Sequence, residues 1–127
     1  MRRDRLYLDD ITEAAEAISR FLAGVSEDAF LTSDLIQSAV LQKLTIIGEA
    51  AARLSPEFKA NAAHIPWSDI VAFRNIAVHA YFSVQWPIVW VAATEEATLL
   101  RTQVLDLLAS EEAELTTDVV DGKGFAR

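Results

Sequence analysis

Apolar residues recur at three- and four-residue intervals over several long segments of the chain, and no period-2 alternation persists. That spacing puts them on one face of an α-helix, so the pattern predicts helices throughout. Tyr7, Ile11, Ala14, Ile18, Phe21 and Val25 form a first stripe, predicting a helix from about Asp4 to Ala23 with Gly24 as its stop. After "TSD", Ser33 or Asp34 can cap a second helix that carries Ile36, Val40, Leu44, Ile47, Ala51 and Leu54 inward until "SPEF" interrupts it. These two are long enough to form an antiparallel hairpin. Between Ser55 and Pro66 the pattern gives a short helical turn and a loop; Pro66 disfavours helix at Ile65, leaving Trp67 to anchor the next element. A third helix starts near Ser68 or Asp69, carries Ile70, Phe73 and Ala77, and ends close to His79 to Phe82. The fourth follows "SVQWP", with Ser83 or Gln85 as cap and Pro87 in its first turn, and continues through Val89, Ala93, Leu100, Val104 and Leu107. The expected fold is all-α: an up-down four-helix bundle with a short extra helical turn between the second and third long helices. A helical domain is expected over residues 1–115, with a flexible acidic C-terminal tail over 116–127.

Composition narrows the functional classes. A chain of 127 residues with 52% apolar content is sized for one domain with a real core. The absence of Cys excludes disulfide frameworks, thiolate zinc sites and cysteine nucleophiles. The start "MRRDRLYLDD" is charged throughout, and no run approaches the roughly 20 apolar residues of a membrane span. A soluble, cytoplasmic protein with no membrane partner is the expectation. The formal net charge of −8 argues against nucleic-acid binding through a broad positive field, so any RNA site must be local or supplemented by a partner. His64 and His79 have no Glu or His at the i+3 or i+4 positions that build helical metal sites, and neither a metal nor a cofactor is expected. Glu95 and Glu96, and Glu111, Glu112 and Glu114, read as solvated faces. No Gly-rich phosphate loop or serine nucleophile elbow is present.

One stretch stands apart. "FRNIAVHAYF", Phe73 to Phe82, concentrates an Arg, an Asn, a His and a Tyr in ten residues. On a helix, Arg74, Val78 and Tyr81 share one face and Asn75 and His79 the next. Arg74 and His79, five residues apart, lie about 140° from each other around the axis. One straight helix would not aim both at the same phosphate. Either the helix unwinds near His79, or two copies of it meet across a two-fold axis and complete one cleft. The purely structural alternative pairs Arg74 with Asp69 or Glu49, makes His79 a helix C-terminal cation and leaves Tyr81 as packing.

"RNIAVHAYF" matches the R-x4-H-x-Y form of the R-x(4–6)-H motif, and the chain resembles the HepT family of HEPN-domain toxins. The resemblance runs from "RLYLDDI" through "IIGEAAARL" and "IPWSDIVAFRNIAVHAYF" to "IVW", about residues 1–110. It implies a metal-independent ribonuclease whose Arg74 and His79 act in a cleft formed by two protomers, with Asn75 supporting the site. It also implies an MntA-type nucleotidyltransferase antitoxin that transfers AMP to Tyr81. The implied partners are therefore an RNA substrate, the nucleotidyltransferase, and a second copy of the chain in a homodimer or higher homo-oligomer. Two positions depart from the family's usual pattern: Ala80 stands where Gly is frequent, and Gln85 where an acidic helix cap is frequent. The alternative function is a non-catalytic helical adaptor that binds and modulates a nucleotidyltransferase.

Overall fold

The computed structural model describes the backbone of residues 2–79 and 84–120, and within it the side chains outside 77–79 and 114–120. Among the described residues the chain is helical with no strands. The elements are α1 (Arg2–Leu22), α2 (Glu27–Leu31), α3 (Asp34–Arg53), α4 (Pro56–Asn61), α5 (Trp67–Val71), α6 (Phe73–His79), α7 (Trp86–Val91), a π-helical turn (Ala92–Glu96) and α8 (Ala97–Val120). Four rods result: α1, α3, α5 with α6, and α7 continuing through the π turn into α8.

Polar contacts between distant residues fix how the rods run. Asp4, at the start of α1, is buried and accepts from the Ser55 amide at 2.8 Å with one carboxylate oxygen and from the Ser55 hydroxyl at 2.7 Å with the other. Since Ser55 follows the end of α3, α1 and α3 are antiparallel. Arg101 near the start of α8 donates to Glu16 at 3.1 Å, while Arg5 donates to Glu112 at 2.7 Å further along α8. Thus α1 and α8 are antiparallel as well. The hydrogen bond to Glu112 raises the Arg5 guanidinium above its ordinary pKa.

Because α1 packs on α3 along one flank and on α8 along the other, its buried arc is wide. Leu8, Ile11 and Ile18 are fully or nearly fully buried, with Ala14, Ala15 and Ala17 beside them. This shifts the stripe read from sequence: Tyr7 is only half-buried and Phe21 is exposed. The small Ala side chains let both neighbouring rods approach, which a single-face pattern does not anticipate. The stripe on α3 stands as expected at Val40, Leu44, Ile47 and Ala51, and on the last rod at Val89, Ala93, Leu100 and Val104. Each fully buried Leu, Ile or Val stabilises the fold by roughly 1.5–3 kcal/mol relative to exposure.

Local signals explain the element ends. The α1 stop is Gly24, whose φ of 74° lies in the left-handed region that suits glycine. Ser33 caps α3 by accepting from the Ile36 amide at 3.2 Å, and Ser55 caps α4 by accepting from Phe58 at 3.2 Å. The short turn foreseen after "SP" is α4. Trp67 is buried, donates its indole N–H to the Ala62 carbonyl at 3.1 Å and meets Phe58 edge-on.

Several features depart from the pattern-based expectation. Helix α2 was not foreseen; Ser26 caps it by accepting from Ala29 at 3.1 Å, and it buries Phe30 against Trp86 and Trp90. The last rod carries a π turn where an uninterrupted α-helix was expected; the Thr94 hydroxyl donates to the Trp90 carbonyl at 2.7 Å there, and the inserted residue keeps Ala92, Ala93 and Ala97 all buried. Gln85 occupies the N-cap of α7 without a side-chain capping bond, and Ser83, the other cap candidate, lies outside the described residues. Helix α8 reaches Val120, so the expected tail from 116 begins on its last turn and continues into 121–127, outside the described residues. No helix among the described residues is long and apolar enough to cross a membrane.

Candidate active site

The third rod, which carries the R-x4-H-x-Y motif, is two helices rather than one. Helix α5 ends at Val71, Ala72 forms the joint, and α6 starts at Phe73. At the joint the Ala72 amide donates to the Ser68 carbonyl at 3.1 Å, and Asn75 donates to Ala72 at 2.9 Å, an i to i−3 bond that tightens the first turn of α6. The joint meets α3 across the interface. A Cβ built on Gly48 would stand 2.5 Å from the Arg74 nitrogen and 3.0 Å from both the Arg74 Cβ and the Val71 carbonyl oxygen. The α5–α6 joint therefore rests directly on the backbone of α3, and only a glycine leaves it room. Phe73 and Ile70 are buried on either side of the joint and hold it there.

This packing fixes the backbone of Arg74 and leaves its side chain 40% exposed. Its Nη1 faces Glu49 Oε1 at 3.7 Å, one residue beyond Gly48 on α3. The same carboxylate presents Oε2 to Arg53 Nη2 at 4.0 Å, one helical turn further along. Glu49 thus stands between two guanidinium groups. Both separations exceed hydrogen-bond length, and half-exposed pairs of this kind contribute about 0–1 kcal/mol. Of the two partners considered from sequence for Arg74, the structure selects Glu49.

Helix α6 is continuous from Phe73 through His79, so the Cα atoms of Arg74 and His79 are about 140° apart around its axis. Among the described residues α6 does not unwind before His79, and residues 80–83, which follow it, lie outside them. Asn75 is exposed beside Arg74. Tyr81 lies outside the described residues, as does Ala80. His64 is exposed in the turn ahead of Pro66, away from regular helix. A shallow groove between α1 and α3, lined by Tyr7, Asp10, Thr45, Ile46, Glu49 and Arg53, runs up to the same carboxylate.

Sequence reasoning reached Arg74, Asn75 and Glu49 but missed Gly48 as the residue that seats them. The available signal was a lone glycine inside an otherwise Ala-, Leu- and Ile-rich helix, where it costs about 1 kcal/mol relative to Ala and so marks a close approach.

The family described as "Ribonuclease HepT-like" matches residues 11–107, a span that includes Gly48, Glu49, Arg74 and His79. The chain is 35% identical over 100 residues to "Probable ribonuclease HepT" of Thermococcus cleftensis, covering 79% of this chain and 91% of that protein. It is 31% identical over 112 residues to "Putative RNase TTE0752" of Caldanaerobacter subterraneus subsp. tengcongensis, covering 88% of this chain and 100% of the relative. A third relative, "Gamma-glutamylcyclotransferase and putative RNase MJ0434" of Methanocaldococcus jannaschii, is 34% identical over 109 residues; these cover 85% of this chain, which spans only 49% of that longer protein. No solved structure matches significantly. With three quarters of its length and the whole motif segment inside the match, the chain belongs to the ribonuclease HepT-like family.

Proposed function

We propose that the chain is a metal-independent RNA endonuclease, the toxin of a toxin–antitoxin pair, with Arg74 as phosphate clamp and His79 as general acid or base. The observation that carries the reading is Arg74 itself: its backbone is seated against Gly48 and its guanidinium is half-exposed at the start of the helix that ends in His79. A planar, permanently charged fork suits phosphate oxygens, and His exchanges protons near neutral pH. In the reaction the RNA 2′-hydroxyl gives its proton to a base while its oxygen bonds to phosphorus. The bond from phosphorus to the 5′ oxygen breaks, and an acid protonates that leaving oxygen. The products are a 2′,3′-cyclic phosphate and a 5′-hydroxyl, and Arg74 stabilises the charge that gathers on the non-bridging oxygens in between.

The angle of about 140° between Arg74 and His79 supports a site shared by two copies of α6, since a regular helix cannot turn both toward one phosphate. In a two-fold pair, one His79 serves as base and the other as acid. Asn75, exposed next to Arg74, supports the substrate from the same turn.

Control is proposed at Tyr81 through a nucleotidyltransferase antitoxin. The Tyr81 oxygen attacks the α-phosphate of ATP, the bond to the β-phosphate breaks, pyrophosphate leaves and the phenolic proton passes to solvent. The resulting AMP ester places bulk and negative charge two residues from His79, where it opposes an RNA backbone by sterics and like-charge repulsion. The net charge of −8 agrees with a protein that grips RNA locally rather than through a general field.

The test is to incubate the purified chain with total RNA in chelator beside its His79→Ala and Arg74→Ala variants. Cleavage leaving cyclic phosphate ends, lost in both variants, is the expected result. Absence of cleavage by the parent chain would overturn the reading in favour of the adaptor, in which Arg74 and His79 serve as nucleotide or interface contacts to a nucleotidyltransferase.

A further inference from the structure

We propose that Glu49 is a positioning residue for RNA cleavage: its carboxylate, set between Arg74 and Arg53, aims the Arg74 fork at phosphate while limiting how tightly the site holds RNA. The inference rests on the reading of Arg74 as phosphate clamp and adds a residue that the motif does not contain.

The geometry points to Glu49 for three reasons. It follows Gly48 on α3, so the residue that seats the Arg74 backbone and the residue that faces its guanidinium are neighbours on one rigid helix. Its two oxygens are divided between two cations, Oε1 toward Arg74 Nη1 at 3.7 Å and Oε2 toward Arg53 Nη2 at 4.0 Å. Both distances are too long for hydrogen bonds, so the carboxylate orients Arg74 by charge without occupying its donors. A guanidinium has five N–H donors, and with Nη1 turned toward Glu49 the Nε and Nη2 edge has no partner among the described residues and can meet two phosphate oxygens.

Charge supplies the second half of the role. The three paired groups, two guanidinium groups and one carboxylate, carry a single net positive charge between them, and the Asp10 carboxylate lines the same groove. An RNA phosphate is attracted to Arg74 but meets a carboxylate behind it, which weakens ground-state binding. Holding Arg74 in place is worth most when charge builds on the phosphate oxygens, so the same carboxylate lowers affinity and raises turnover. Glu49 is itself 47% exposed, and its replacement leaves the core untouched.

These opposed effects give the inference a signature that a merely structural residue lacks. In Glu49→Ala, the RNA dissociation constant is expected to fall by about 2- to 5-fold and kcat by about 5- to 10-fold, with unchanged thermal stability. Glu49→Gln keeps an oxygen facing Arg74 but removes the charge, so it should bind RNA as tightly as Glu49→Ala and recover part of kcat. On an Arg74→Ala background, Glu49→Ala should leave the residual rate unaltered, because the group it positions is gone. The measurements are RNA binding by fluorescence anisotropy and single-turnover cleavage of a labelled single-stranded RNA in chelator. Unchanged kcat in Glu49→Ala, alongside lost activity in Arg74→Ala, would overturn the positioning role while sparing the clamp. An Arg74→Ala variant as active as the parent would overturn both.

Discussion

Substituting Gly48 by alanine tests whether the close approach of α3 to the α5–α6 joint sets the position of Arg74. The new Cβ would stand 2.5 Å from the Arg74 nitrogen, about 0.9 Å short of the 3.4 Å where ordinary contact begins, and 3.0 Å from the Val71 carbonyl oxygen. Two of the three atoms met are backbone, so no side-chain rotation relieves the clash; the joint must move away from α3 by several tenths of an ångström to about 1 Å. Overpacking of this kind costs about 1–3 kcal/mol. Alanine in place of a mid-helix glycine returns roughly 1 kcal/mol through helix propensity. The two terms nearly offset, and net destabilisation should be about 0–2 kcal/mol, a fall in Tm of no more than about 8 °C. Cleavage has no such compensation. If Arg74 holds the reacting phosphate as proposed, a displacement near 1 Å costs up to about 100-fold, so the expected loss is about 10- to 100-fold. Urea denaturation followed by circular dichroism gives the first number, and RNA cleavage in chelator the second. A Gly48→Ala protein that is more stable by about 1 kcal/mol and fully active would refute the argument, since it would mean the joint has room for the methyl group.

Other expectations concern the fold, the charge and the switch. Asp4→Ala leaves the half-buried Ser55 amide and hydroxyl without their acceptor and should cost about 1–3 kcal/mol in urea denaturation; a loss below about 0.5 kcal/mol would mean the contact is replaced by water. RNA binding should weaken only modestly with salt, with a log–log slope smaller in magnitude than about 3, and a much steeper slope would contradict a local site built on Arg74. After mixing with the nucleotidyltransferase and ATP, intact mass should rise by one AMP in the parent chain and stay constant in Tyr81→Phe; AMP gained by the Phe variant would move the acceptor elsewhere.

Periodicity was enough to read the rods, because each long helix has one face that must be dry. Val40, Leu44 and Ile47 on α3, and Val89, Leu100 and Val104 on the last rod, are buried as their spacing requires. What periodicity misses is contact among three elements at once. The wide buried arc of α1 depends on having both α3 and α8 as neighbours. The break at Ala72 lies where the joint rests against Gly48 of α3, and nothing within "WSDIVAFRN" announces it. Helix α2 is five residues long, too short for its own period to register, and is held instead by the Ser26 cap and by Phe30 packing on Trp86 and Trp90. For the site, composition raised Arg74 as a cation and Glu49 as one possible partner. The structure adds that Glu49 is shared with Arg53, which depends on α3 placing the two a turn apart beside the joint.

The central claim is that RNA is cut in a cleft completed by two copies of α6, and dilution of the parent chain with its His79→Ala variant tests it most directly. The two proteins are unfolded together, refolded at equal amounts and assayed for RNA cleavage in chelator. If both His79 residues of a pair are needed, only pairs of two parent chains cut, and activity falls to about one quarter of that of the undiluted parent. Activity near one half, as expected if each protomer works alone, would contradict the claim.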